Sequence, residues 1–212
     1  MKEGRFFMYT CADCTVLACD SGNREHMPSN CPMQRQERLE ECLKEYHSPQ
    51  YSEFYVACSS IEAAGYGQWP RLRETVEFCK SMGYKRIGLA FCKGLKKEAK
   101  VVAGILRKHG FEVVSVICKT GGFSKEEAGI PKENKLSPDA FEAMCNPIGQ
   151  AMLLNGQNTE FNIALGLCVG HDSLFYKHSE ALVTTLVAKD RVLAHNPCGA
   201  IYCAEGYFKN KL

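Results

Sequence analysis

The chain has 212 residues, of which 45% are apolar and 24% are charged. These proportions are ordinary for a folded globular protein, and they exclude wholesale disorder, a fibrous repeat and a membrane protein. The formal charge is only +2, from 26 basic and 24 acidic residues, so nucleic acid is not an expected partner. The cysteine count of 13 is the one abnormal number, and it requires a chemical explanation.

The cysteine content indicates a reducing compartment. An odd number of cysteines cannot all pair, and disulfide-rich chains are usually small and secreted. Residues 1–9 lack the apolar stretch and the small-residue cleavage site of a signal peptide. The longest apolar run, near 163–169, is too short to span a bilayer. We therefore expect a cytoplasmic protein without a membrane partner, whose thiols are free or bound to metal.

The predicted elements begin with a polar segment, residues 10–32, that contains four cysteines and few large apolar side chains. Helices are predicted over 33–46, 50–64 and 71–82. After that, predicted strands at 86–91, 111–117, 161–169 and 181–188 alternate with predicted helices at 96–109, 138–154 and 171–178. A helical tail is expected to pack its Tyr and Phe side chains on the sheet.

This alternation predicts an α/β fold. Near-continuous apolar strands separated by helices are typical of a Rossmann-like or flavodoxin-like, mainly parallel sheet, here of about four strands, with helices on both faces. Two regions are expected. Residues 1–48 form an N-terminal metal-binding segment with four cysteines and a helix, and residues 49–212 form the α/β domain with a second cysteine cluster.

The first cysteine set is spaced C-x2-C-x4-C-x11-C and consists of Cys11, Cys14, Cys19 and Cys31, with Pro32 following. Four thiolates within about twenty residues suit one tetrahedral Zn2+ or one 4Fe-4S cluster. A segment so poor in apolar residues needs a metal to fold, whereas buried structural thiols would need a core around them. The spacing and the trailing proline favour iron–sulfur slightly, and zinc stays open.

The second cysteine set is dispersed along the chain and consists of Cys92, Cys118, Cys145 and Cys168. Two of these residues directly follow predicted strands, and Cys168 lies at the end of the third. Because ligands of open α/β sheets bind outside the carboxyl ends of the strands, these thiols should share one edge. Cys145 lies in the crossover before the third strand and could reach the same edge. Each cysteine alone is better explained as a small core residue, but the set predicts a bound metal or cluster.

A strand-to-helix connection surrounds Cys168, from Gly166 to Asp172. Backbone N–H groups at such a turn should lower the pKa of the thiol. Cys168 and His171 are therefore candidate catalytic residues, a nucleophile and its base. His171 could instead be a metal ligand or a solvated side chain. Lysines that could neutralise an anionic cluster or bind an anionic substrate are Lys93, Lys119 and Lys177.

Five cysteines lie outside both sets. Cys42, Cys58 and Cys79 fall on apolar helical stripes and are expected in the core. Cys198 and Cys203 lie in the tail, where they could be extra ligands, a redox pair or simply part of the packed helix.

The chain resembles a cysteine-rich family described only as "metal-binding protein", a domain of unknown function of anaerobic bacteria and archaea. The resemblance covers nearly the whole chain. Besides the first cysteine set with Pro32, its motifs are Ile61–Tyr66, Ile87–Leu95, Cys145–Pro147, Gly166–Asp172, Val183–Val187, Lys189–Val192 and His195–Pro197. Cys198 and Cys203 do not belong to this pattern. The resemblance implies metal binding and a cytoplasmic location, and it supplies no reaction.

Three functions are consistent with these observations. The first is a protein that carries cysteine-ligated iron–sulfur clusters in a redox or electron-transfer role, with a redox protein or a small-molecule substrate as partner. The second is a zinc-stabilised α/β module that binds a ligand or a partner without catalysis. The third is a thiol enzyme that uses Cys168 and His171. No G-x-G-x-x-G motif follows a predicted strand, which argues against a dinucleotide site.

Overall fold

A computed structural model describes residues 8–212 of the chain. These residues divide into two compact units, the first ending at Ser60 and the second running from Ile61 to Leu212. The division falls within a long helix, later in the chain than the expected boundary between residues 48 and 49.

The first unit is built from short helices and has little core. It contains 3-10 turns at Cys11–Asp13 and Pro32–Gln34 and the helices α1 (Ala18–Ser21), α2 (Gln36–Tyr46) and most of α3 (Ser52–Gly65). Its buried apolar residues within the described part are Ala18 and Ala57. The expectation that Cys42 and Cys58 lie in a core is wrong, because both are exposed and no residue of α2 is buried.

The second unit is an α/β domain. Its helices are α4 (Arg71–Ser81), α5 (Lys96–Lys108), α6 (Pro147–Asn155), α7 (His171–His178) and the short α8 (Cys198–Tyr202). Its strands are β1 (Arg86–Phe91), β2 (Glu112–Ile117), β3 (Phe161–Leu165) and β4 (Val183–Val187). All four pair in parallel in the order β2–β1–β3–β4. The predicted α/β class with a parallel sheet of four strands is confirmed.

The strand order creates a switch point between β1 and β3. The chain runs outward from β1 to β2 and then crosses back to β3 on the other side of β1. Right-handed crossovers in opposite directions place α5 and α6 on opposite faces of the sheet. On one face, Ala90 and Ala164 pack with Ala151, Leu154 and Phe175 of α6 and α7.

The other face of the sheet is equally apolar. Ile87, Leu89 and Ile163 are fully buried, and side chains alternate along a strand, so these three point away from Ala90 and Ala164. Leu106 of α5 and Cys79 of α4 are also fully buried. Cys79 is therefore a core residue, as predicted, and burial raises the pKa of its thiol to about 12.

Two element boundaries differ most from those that the sequence predicts. β3 ends at Leu165 because Gly166 adopts a left-handed φ of +63° and its N–H turns to the carbonyl of Val187 at 2.7 Å. α6 begins at Pro147 rather than at residue 138. The residues before it run back along an earlier loop, where Ser124 and Ala143 form an antiparallel bridge.

The tail contains less helix than the sequence predicts. α8 is five residues long, and Tyr202 and Tyr207 are 83% and 72% exposed, so these rings do not pack on the sheet. No helix within residues 8–212 has the length and apolar character needed to cross a membrane.

Candidate metal centre

Three thiols follow the parallel strands at the carboxyl edge of the sheet. The N–H of Cys92, directly after β1, donates to the carbonyl of Leu165 at 3.1 Å. The N–H of Cys118, directly after β2, donates to the carbonyl of Phe91 at 2.8 Å. Sheet hydrogen bonding therefore continues one residue past each strand and fixes both thiols at the edge. Cys168 follows β3 just beyond the turn at Gly166.

Cys145 reaches the same edge because of the cap of α6. Asn146 is the N-cap, and its Oδ1 accepts a hydrogen bond from the N–H of Gly149 at 2.8 Å. The backbone N–H of Asn146 donates to the carbonyl of Cys118 at 2.8 Å, and its Nδ2 donates to the carbonyl of Thr120 at 3.2 Å. The cap thus ties the residue after Cys145 to the residue that carries the Cys118 thiol.

A buried glutamine braces the two strand ends below the thiols. Gln150, in the first turns of α6, is fully buried, and its Nε2 donates to the carbonyls of Val116 at 2.7 Å and Phe91 at 3.3 Å. These carbonyls belong to the last residue of β1 and to the residue before the last of β2. The amide therefore fixes the spacing of the strand ends from which Cys92 and Cys118 project.

The thiols of Cys92, Cys118 and Cys145 interact with one another. Hydrogen bonding to Cys118 lowers the pKa of Cys92 to about 4 and that of Cys145 to about 5. The same contacts, first with Cys145 and then with Cys92, strongly raise the pKa of the buried Cys118. The opposite directions of these shifts make Cys118 the S–H donor of the three, with Cys92 and Cys145 as its acceptors.

Cys168 lies near this trio and differs from it. Burial raises the pKa of its thiol, and the charges of Cys92 and Cys145 raise it further. Arg191 opposes this shift, because its Nη2 donates to the Cys168 Sγ at 2.9 Å. The expected lowering of the Cys168 pKa is therefore wrong.

The helix start after Cys168 explains the difference. The N–H groups of His171 and Asp172 donate to the backbone carbonyl of Cys168, at 3.0 and 3.1 Å, rather than to its sulfur. His171 is instead one of the groups, after Cys118 and Lys119, whose interaction lowers the pKa of Cys145. The partner of the Cys168 thiol is an arginine, which cannot accept a proton, so this geometry gives no support to a Cys168–His171 catalytic pair.

Basic groups surround the four sulfurs. The backbone N–H of Lys93 donates to the Cys118 Sγ at 3.2 Å. The Lys119 ammonium donates to the carbonyl of Ala143 and lowers the pKa of Cys145. Lys177, the third lysine suggested by the sequence, is exposed in the last turn of α7.

Two cations at the site were not identified from the sequence. Lys189 lies beside Cys92, where its hydrogen bond and its charge lower the pKa of that thiol. Arg191 donates to Cys168. Both follow β4, as three of the cysteines follow β1, β2 and β3. The strand-end argument that selected the cysteines could have selected these residues as well.

The first cysteine set lies in the first unit. Cys11, Cys14 and Cys31 line one cavity of about 210 Å³, whereas Cys19 lies exposed on α1 outside that lining. The wall is fixed by Asn30, whose Nδ2 donates to the Thr10 Oγ1 at 2.9 Å. Three of the four predicted ligands therefore share a space large enough for a metal ion and its ligand atoms.

Within the described range 8–212, no group of three or more His, Cys, Asp or Glu side chains forms a ready-made site for a metal ion. The donor chemistry of the sheet edge nevertheless fits a thiophilic group. Four sulfur atoms, N–H donors to sulfur and nearby cations are the surroundings that iron–sulfur clusters and zinc thiolates use.

The fold and the site together define an α/β protein with cysteines gathered at the carboxyl edge of a parallel sheet. Residues 31–186 match the family model described as "Protein of unknown function (DUF1847)", and the chain belongs to that family. It is also similar to an uncharacterized protein of Methanocaldococcus jannaschii, 44% identical over 202 residues, which covers 95% of this chain and 97% of the relative. The predicted membership of an uncharacterised family with archaeal members is confirmed.

The family match covers some of the candidate ligands and not others. It includes all four sheet-edge cysteines and Cys31. It begins after Cys11, Cys14 and Cys19 and ends before Lys189 and Arg191.

Proposed function

We propose that this chain is a metal-binding protein whose sheet-edge thiols, Cys92, Cys118, Cys145 and Cys168, ligate an iron–sulfur cluster that has a redox role. The observation that carries the proposal is the meeting of four thiols from separate elements at one sheet edge. Of these, Cys118 interacts with both Cys92 and Cys145, and Cys168 is close enough for the charges of those two to act on it.

A metal centre would stabilise two thiolates in a partly buried place. Cys92 and Cys145 both favour the charged form, although neither is fully exposed. Two neighbouring negative charges are costly in such a setting unless a cation compensates them. A bound metal would supply that compensation and would also replace the proton on Cys118.

Sulfur-only ligation and N–H···S hydrogen bonds fit an iron–sulfur cluster. The N–H of Lys93 donates to Cys118, the N–H of Gly94 to Cys92, and Arg191 to Cys168. Hydrogen bonds to sulfur and local charge are the means by which proteins set the potential of such clusters. A bound cluster would exchange single electrons, and these residues would hold its sulfurs and set their electrostatic environment. Zn2+ is the second candidate for the same ligands.

The test is the metal content and visible spectrum of protein purified without oxygen from cells supplied with iron. We expect several iron atoms per chain and absorbance that bleaches on reduction. Cys118→Ser should lose most of this absorbance, whereas Cys42→Ser, which changes an exposed cysteine of α2, should keep it. Colourless protein with stoichiometric zinc would overturn the redox role, and protein without metal would overturn the proposal entirely.

The first cysteine set is proposed as a separate, structural metal site. Cys11, Cys14 and Cys31 already share a cavity, and the unit that contains them has few buried apolar side chains to hold it together. Metal binding would therefore contribute folding free energy there. We also propose a reducing, cytoplasmic compartment, because all 13 cysteines are free thiols and both sites depend on them.

A further inference from the structure

The segment that follows β4 carries two cations onto two different cysteines. Lys189 Nζ and Cys92 Sγ flank the same point, 3.8 and 3.9 Å from where a Cβ at Gly94 would lie, and Arg191 donates to the Cys168 Sγ at 2.9 Å. Cys92 and Cys168 follow adjacent strands, β1 and β3, at the switch point of the sheet. Residues 189–195, which we call the clasp, therefore connect the two sulfurs that flank that switch point.

The clasp has a fixed internal structure. The backbone N–H of Asp190 donates to His195 Nδ1 at 3.1 Å, and the N–H of His195 donates back to the carbonyl of Asp190 at 2.9 Å. The Asp190 Oδ1 also accepts from the N–H groups of Val192 and Leu193, both at 2.8 Å. Lys189 and Arg191 therefore extend from a closed ring of hydrogen bonds rather than from a loose tail.

The backbone of the clasp is strained where the ring closes. Ala194 and His195 have φ values of +51° and +64°, which side-chain-bearing residues rarely adopt. Such strain costs about 1–3 kcal/mol per residue and persists only where the surrounding structure over-determines the conformation. The ring thus holds an unfavourable backbone in a position that keeps the two cations beside the thiols.

The Lys189 side chain passes close to two glycines. A Cβ at Gly94 would lie 3.8 Å from Lys189 Nζ, and a Cβ at Gly166 would lie 3.7 Å from Lys189 Cε. The lysine stem therefore passes between the loops that follow β1 and β3. Its ammonium reaches Cys92 through a space that larger residues at these positions would narrow.

We propose that the clasp is the positively charged wall of the thiol site. Lys189 and Arg191 make the site an acceptor of anionic groups, in particular of a thiolate-ligated metal centre with net negative charge, and Arg191 positions the Cys168 sulfur. The metal part of this inference rests on the proposed function. The charge of the wall does not, because the contacts of Lys189 and Arg191 are present with the bare thiols.

The first test measures the electrostatic potential at the thiols in reduced, metal-free protein of full length. Cys92 and Cys168 are alkylated with anionic iodoacetate or with neutral iodoacetamide, each thiolate forming an S–C bond as iodide leaves, and the labelled peptides are quantified by mass spectrometry. The rate ratio of the two reagents at one pH cancels the thiolate fraction and reports the local potential. The exposed Cys42 serves as the internal reference.

We expect a higher iodoacetate preference at Cys92 and Cys168 than at Cys42. Lys189→Gln should lower the ratio at Cys92 and Arg191→Gln the ratio at Cys168, each by roughly three- to five-fold, as for one nearby charge in a watery setting. The matched control is Lys177→Gln, which removes an equal charge from the exposed end of α7 and should change neither ratio. The inference would be overturned if the ratios at Cys92 and Cys168 were the same in the unmodified protein and in all three variants.

The second test uses the protein with its metal bound. Removing a cation near a cluster favours its oxidised, less negative form, so Arg191→Gln should shift the midpoint potential to a more negative value. Arg191→Lys should have a midpoint potential close to that of the unmodified protein, because it keeps the charge. Its visible spectrum should still differ, because lysine lacks the forked donor of arginine. If the ratios fall but no metal is bound, the proposed function fails and the charged wall stands.

Discussion

Glycine keeps the carboxyl edge of the sheet open for sulfur. Gly166 has a left-handed φ of +63°, and a Cβ there would lie 2.0 Å from the Cδ1 of Leu95. Leu95 is buried and is the last residue of the 3-10 turn Lys93–Leu95, which begins after Cys92. Any side chain at residue 166 would therefore push apart the loops that carry Cys92 and Cys168.

The substitution Gly166→Ala should destabilise the fold. It combines an unfavourable φ with a clash against a buried side chain, for which we expect a loss of about 2–4 kcal/mol. Urea denaturation followed by circular dichroism measures the change. Gly104→Ala is the control, because Gly104 lies within α5 with open space around it. It should be neutral or stabilising by up to about 1 kcal/mol, and equal losses in both variants would contradict the argument.

A carboxylate at the amino edge of the sheet is expected to make the free energy of unfolding depend on pH. The Oε2 of Glu160 accepts hydrogen bonds from the N–H groups of Lys85 and Arg86, at 2.6 and 2.7 Å. These bonds, that of Arg86 first, lower the pKa of Glu160. Because the folded-state pKa is depressed, the stabilisation is present above the unfolded value of about 4.3 and is lost as pH falls through the folded value.

We therefore expect Glu160→Gln to lower the free energy of unfolding by about 1 kcal/mol at pH 7, after allowance for solvent screening of this exposed group. The difference from the unmodified protein should vanish in acid, where Glu160 is protonated in both states. Denaturation across this pH range measures it. Glu180→Gln changes an exposed carboxylate of the same domain and should show no such trend. A difference that persists unchanged in acid would count against the linkage.

At the scale of elements, the start of α6 places the fourth thiol. Residues before proline disfavour helical backbone, and Asn146 has φ −121° and ψ 68°. Its side chain caps the helix and also bonds the loop after β2. The position of Cys145 therefore depends on one cap rather than on a strand.

Removing this cap should separate Cys145 from Cys118. Asn146→Ala loses the acceptor for Gly149 and the donor to Thr120, which should cost about 1–2 kcal/mol. Asn146→Asp keeps the acceptor and should lose less. Alkylation of metal-free protein provides the readout, because Cys145 should label faster in the alanine variant. Unchanged labelling of Cys145 would show that the cap does not position it.

The sequence was sufficient for the regular part of this architecture. Apolar runs predict β1 and α7 at their observed bounds, and strand ends locate Cys92, Cys118 and Cys168. The start of α6 was visible in principle, as Asn146-Pro147. The return of residues 138–146 along an earlier loop was not visible, because it depends on the bridge between Ser124 and Ala143.

The burial of individual cysteines was the property that the sequence predicted least well. Cys42, Cys58 and Cys79 all lie on apolar helical stripes, yet only the last is buried among the three. Periodicity reports which side of a helix is apolar and says nothing about whether another element covers it. Lys189 and Arg191 follow β4 at the same edge of the sheet, but a basic residue after a strand does not by itself indicate a thiol site.

At the scale of the molecule, the two units should respond differently to metal removal. The second unit has an apolar core on both sheet faces, whereas the first has few buried apolar residues in its described part. A strong chelator should therefore make residues 10–32 sensitive to protease while residues 61–212 stay resistant. Limited proteolysis with mass spectrometry measures this. Cys14→Ser should behave like chelated protein without a chelator, and resistance of the 10–32 segment in both would contradict a structural metal.

The positions of the proposed ligands along the chain also imply an order in which the two sites could bind metal. The ligands of the first set lie between Cys11 and Cys31, within one short stretch of chain, so a metal could organise that stretch as it emerges from the ribosome. The sheet-edge sulfurs come from loops after β1, β2 and β3 and from the start of α6, and they converge only when the crossover to β3 is complete. If the proposed cluster binds there, its delivery would have to follow folding, and a delivery partner would meet a finished α/β domain.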